Sequence, residues 1–113
     1  MSSGVSADVL RRRAASMLEG ARWRLERGEY DLACFEAGEA AQLYLKYLLL
    51  KLCGATPRVH RLSEPLSRLY SALREGFEGL AEEVADFAST RRRSLRFLEE
   101  SYFRGRYGFA EIL

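Results

Sequence analysis

Apolar residues recur three and four apart along most of this chain, the spacing of helices that each bury one face. Leu10, Ala14, Met17, Ala21 and Leu25 form a first stripe and predict a helix from about Ala7 to Arg27. Ser6 can cap it, and Asp8 lies in its first turn. Arg22, Arg24 and Arg27 fall near its end, where the helix dipole favours cations, and Gly28 can stop it. Tyr30, Cys34, Ala37, Ala41, Leu45, Leu48 and Leu52 form a second stripe, for a helix from about Glu29 to Cys53. Its C-terminal half is also apolar off the stripe, at Leu43, Tyr44, Tyr47, Leu49 and Leu50. A helix greasy on most sides is a buried one, and a second subunit is a natural cover for what three partner helices leave open. Glu36, Glu39, Gln42 and Lys46 form its one narrow polar ribbon.

Gly54 to Arg61 reads as a loop punctuated by Gly54 and Pro57. A third helix is expected over Ser63 to Arg74, with Ser63 as cap, Pro65 in the first turn and Leu62, Leu66, Leu69 and Leu73 inward. Gly76 and Gly79 bracket a turn. A fourth helix starts near Leu80 and could reach Phe103, keeping its period through Val84, Phe87, Leu95, Leu98 and Tyr102. Arg91 stands where an apolar residue is due, so a break near Ser89 and Thr90 is favoured over an arginine facing inward. Gly105 and Gly108 punctuate an aromatic, arginine-rich tail. The expected architecture is an all-α, up-and-down bundle of four to five helices, one domain over residues 1–113, without internal repeats.

Composition agrees: 48% of the 113 residues are hydrophobic, enough for a core, and only two are proline. The net charge of +2 is too even to declare a nucleic-acid binder. Lys46 and Lys51 are the only lysines among 18 bases, and asparagine is absent. Few thermolabile side chains hint at a thermophile, although a GC-rich genome skews the counts the same way. Residues 1–7 do not resemble a signal peptide. The greasiest stretch, Leu43 to Cys53, is cut by Lys46 and Lys51 and falls short of the ~20 apolar residues of a membrane span. A cytoplasmic, soluble chain is expected. Cys34 and Cys53 would lie roughly 30 Å apart on one helix, so they read as reduced residues.

Candidate chemistry is sparse. His60 is the only histidine, which excludes a Glu-x-x-His di-iron bundle and an ordinary zinc site. No nucleophile elbow or phosphate loop is present, so no metal or cofactor is expected. His60 could move a proton, but a hydrogen-bonded loop histidine is the commoner case. Arg58, His60 and Arg61 make a cationic loop that could grip a phosphate, although loop arginines are more often simply solvated. The tail from Tyr102 to Phe109 interleaves rings with Arg104 and Arg106. It could stack bases, or pack its rings and leave the arginines wet. Arg11–Arg13 and Arg91–Arg93 fan around their helices and read as a solvated, ion-paired surface. The ribbon of Glu36, Glu39, Gln42 and Lys46 reads as the wet side of a helix or, less often, the lining of a polar groove.

Gly28-Glu29-Tyr30-Asp31-Leu32-Ala33, then Ala40-Ala41-Gln42-Leu43-Tyr44-Leu45-Lys46-Tyr47-Leu48-Leu49, resemble the HEPN domain (higher eukaryotes and prokaryotes nucleotide-binding). So do Gly54, Pro57 and His60 ahead of a leucine-rich helix, and the closing Leu98-Glu99-Glu100-Ser101-Tyr102 with Arg106-Tyr107. The resemblance spans nearly the whole chain and is closest to small stand-alone archaeal and bacterial members. It implies a helical bundle, commonly a homodimer, of a kind often paired with a separate minimal nucleotidyltransferase. Other branches are ribonuclease toxins of toxin–antitoxin pairs, with an Arg-x4-6-His motif. That motif fails here: arginine would be needed at Cys53, Gly54 or Ala55, and Arg58 is too close to His60. Gln42 stands where many members carry Glu, and Gly108 where many carry Pro.

The resulting expectation is a homodimeric nucleotide-binding or nucleotidyltransferase-partner module that catalyses nothing alone. A phosphate would sit between Arg58, His60 and Arg61 and the tail arginines Arg104 and Arg106, with Tyr107 to stack and Lys46 and Gln42 as weaker contributors. One alternative is a metal-independent ribonuclease that acts on RNA through His60 and an arginine from across the dimer. The other is a purely structural interaction module without nucleotide affinity.

Overall fold

A computed structural model describes residues 6–55 and 61–107, the last stretch by its backbone alone at 103 and 105–107. It contains α1 (Ala7–Glu26), α2 (Tyr30–Cys53), α3 (Ser63–Arg74), α4 (Glu78–Thr90) and α5 (Arg92–Tyr107), with no strand among the described residues. The all-α expectation holds, and five helices form the bundle.

Local signals explain most boundaries. Ser6 Oγ accepts the Val9 N–H at 3.3 Å and caps α1, while Asp8 pairs with Arg11 and Arg12. Such a side-chain acceptor satisfies one of the free N–H groups that open every helix. Gly54, at φ 77°, takes the left-handed cap position after α2. Glycine adopts that conformation without strain. At α3 the expectation needs correcting. Leu62, not Ser63, is the cap residue, and no cap side chain bonds the helix. Glu99 of α5 takes that role from outside: its Oε1 accepts the Leu62 N–H at 2.8 Å.

The break before α5 falls at Arg91, one residue beyond the expected place. Thr90 Oγ1 donates to the Asp86 carbonyl at 2.8 Å and the Phe87 carbonyl at 3.3 Å. These bonds compete with the helical backbone pattern. Arg91 leaves helical geometry (φ −116°, ψ 29°) and its guanidinium lies 4.7 Å from the Phe87 ring centroid, on the surface. The expected tail is corrected too: α5 runs as helix through Gly105 to Tyr107. Tyr102 is only 4% exposed and stacks on Phe35, so that ring belongs to the core.

The central rod is α2, packed against α1, α3 and α5, with α4 against the outer side of α3. Leu45 and Leu49 of α2 join Leu62, Leu66, Leu69, Leu73 and Ala81 in the main core. At roughly 25 cal/mol per Å² of apolar area, this cluster is a principal stabilising term. The side α2 buries differs from its predicted stripe. Ala33, Gly38, Ala40, Gln42, Leu45 and Leu49 are buried, whereas Tyr30 and Leu52 are exposed. Helices approach closest where side chains are small, and Gly38 shows this. A Cβ there would stand 2.9 Å from the Leu98 carbonyl oxygen and 3.0 Å from Tyr102 Cβ. Close approach thus selects glycine and alanine, and the larger residues of the stripe are left half-covered.

Candidate functional site

The end of the cationic loop is held against α5. The Leu62–Glu99 hydrogen bond ties the residue after Arg61 to the helix that carries Arg104. Arg104 follows Glu99 by five residues, about 7.5 Å of helix rise. Arg61 and Arg104 are both exposed. Arg58 and His60 lie outside the described residues. Arg106 and Tyr107 are placed by backbone only, in the last turn of α5.

Gln42 and Lys46 lie on α2, Gln42 one turn after Gly38, which meets α5 at Leu98 and Tyr102. The polar ribbon is not the wet face of that helix. Gln42 is 3% exposed, and Glu36, Glu39 and Lys46 are half-buried. Neither amide atom of Gln42 meets a hydrogen-bond partner among the described residues. Glu36 reaches Arg24 of α1 at 3.5 Å, and Arg24 bonds Glu29 at 2.8 Å. The hydrogen bond from Arg24, reinforced by Arg27, holds the Glu29 carboxyl below its ordinary value, and the same bond raises Arg24. This part of the ribbon joins α1 to α2; it does not line a cavity with Arg61.

Arg61 also opens onto a groove of about 810 Å³ between α3, α4 and α5. Leu66, Val84 and Leu95 contribute its apolar part, Ser63 and Ser67 its hydroxyls, and Arg92 and Arg96 further cations. Sequence reasoning misses both Arg92 and Arg96, because the arginine triplet reads there as solvated surface. Their signal is the four-residue spacing, which shares a helix face only once a helix is started at Arg92. Among the described residues none of the three groove arginines forms an ion pair. No group of three metal-ligating side chains occurs among those residues, and no helix there is long and apolar enough to cross a membrane.

A family model described as HEPN domain matches residues 7–112. No curated protein and no solved structure gives a match to the chain.

Proposed function

The chain belongs to the HEPN domain family, and from that premise we propose that it is a nucleotide-binding or nucleotidyltransferase-partner module, non-catalytic alone, working as a one-domain cytoplasmic homodimer. The observation that supports the reading is the Leu62–Glu99 bond, which ties the residue after Arg61 to α5, the helix that carries Arg104 and Arg106 further on. Guanidinium groups suit a phosphate, because each offers a planar fork of donors. Arg58, His60, Arg106 and Tyr107 extend the same site in this reading, and a minimal nucleotidyltransferase is the partner that the family relationship favours.

The homodimer is supported by an uncovered apolar flank. Tyr30 and Tyr44 of α2 and Leu18 and Leu25 of α1 are all exposed. These residues lie on two helices that pack along one another.

Calorimetric titration with a nucleoside diphosphate tests the binding claim. Arg61→Ala and Arg106→Ala should each weaken binding; unchanged affinity in both would remove the site.

A further inference from the structure

The start of α5 is electrostatically unusual. No acid lies in its first turn, and Arg92, Arg93 and Arg96 crowd the end where the helix dipole is positive. Fixed cations there are unfavourable unless an anion joins them. Arg92 and Arg96 share one helix face, about 6 Å apart along the axis at the helical rise per residue. Both line the groove between α3, α4 and α5. The same wall continues with Glu99 and Glu100. Glu99 is committed to the Leu62 N–H, whereas Glu100 is exposed and makes no ion pair among the described residues. Opposite, Ala85, Ala88 and Ser89 of α4 are small and keep the space open. A groove of about 810 Å³ lies in the range of small-ligand sites.

We propose that this groove binds a nucleoside phosphate, with Arg92 and Arg96 on its phosphates and Glu100 on its ribose hydroxyls. The proposal rests on the nucleotide-binding reading and moves the phosphates from the loop and tail arginines to the face of α5 that lines this groove. The order along α5, two cations and then a carboxylate, selects the ligand class. A polyphosphate or a nucleic-acid strand would bring a further phosphate against Glu100. A ribose instead brings two hydroxyls that can donate to it. Leu66 and Tyr70 of α3 give the groove an apolar and an aromatic surface suited to a base.

The test is calorimetric titration of ADP, pyrophosphate and adenosine into the full chain and its variants. The Arg92→Ala/Arg96→Ala double variant should lose at least about tenfold in ADP affinity, as expected for two charge-assisted contacts. Glu100→Gln should weaken ADP without weakening pyrophosphate. Arg68→Ala, an exposed α3 arginine outside the groove, should bind as the wild type does, and thermal melts check that each variant folds. Wild-type ADP affinity in the double variant overturns the groove site; if Arg106→Ala then abolishes binding, the nucleotide reading survives at the loop and tail. A wild-type chain that binds no ADP removes both.

Discussion

Gly38 and Gly79 are both helical glycines, and their surroundings give them opposite roles. Alanine is worth about 1 kcal/mol over glycine in a helix interior. At Gly79 nothing stands within 4 Å of an added Cβ. Gly79→Ala should therefore raise stability by about 0.5 kcal/mol. At Gly38 the obstacle is backbone of α5, which cannot swing aside as a side chain can. Overpacking costs about 1–3 kcal/mol and outweighs the helix gain, so Gly38→Ala should lower the urea midpoint. Gln42 makes a third case, with two buried amide atoms that meet no partner among the described residues. Such atoms cost about 1–3 kcal/mol, and Gln42→Met should raise the same midpoint. None of this was legible in the sequence. Gly38 falls at no turn, and Gln42 belongs to a ribbon whose other members are charged. Only the direction from which α5 arrives decides what each residue meets.

Helix by helix, the sequence was more informative. Caps, glycine stops and the interruption at Arg91 are local properties, and they located the elements to within a few residues. The buried side of α2 was less legible, because apolar periodicity marks where large residues lie, not where a neighbour comes closest. Gly38, Ala33 and Ala40 carry little hydrophobic signal yet are buried, Gly38 hard against α5. The charged staple between α1 and α2 also needed the fold to be seen, because Arg24 and Glu36 are twelve residues apart. Its pH dependence follows from sign. The bond from Arg24 lowers the Glu29 carboxyl in the folded state below its ordinary 4.5. Near that value the unfolded chain binds more protons, so this contribution is fully present above pH about 4.5 and is lost as pH falls through the lower folded value. Urea midpoints should therefore fall more steeply with acidification in the wild type than in Glu29→Gln, measured from about pH 5 to about pH 3. Equal slopes would show that the pair adds nothing.

For the whole molecule, the composition gave class but not surface. A charge of +2 conceals an uneven distribution, with arginines around one groove that form no ion pair among the described residues and paired ones at the α1–α2 hairpin. Next to Arg61 the Leu62–Glu99 bond ties the loop end to α5, while Arg58 and His60 lie outside the described residues. The apolar flank of α1 and α2 predicts self-association. Tyr44→Arg, at a site already about half exposed, should shift the mass seen by light scattering from dimer to monomer without unfolding the chain. Because the Arg-x4-6-His spacing fails, the wild type should leave RNA intact; cleavage lost in His60→Ala would favour the ribonuclease alternative. The most direct test of the account is an amide NMR titration of the wild-type chain with ADP. Shifts concentrated in the first turns of α3 and along α5 are predicted; an unchanged spectrum, or shifts confined to the α1–α2 hairpin, would contradict it.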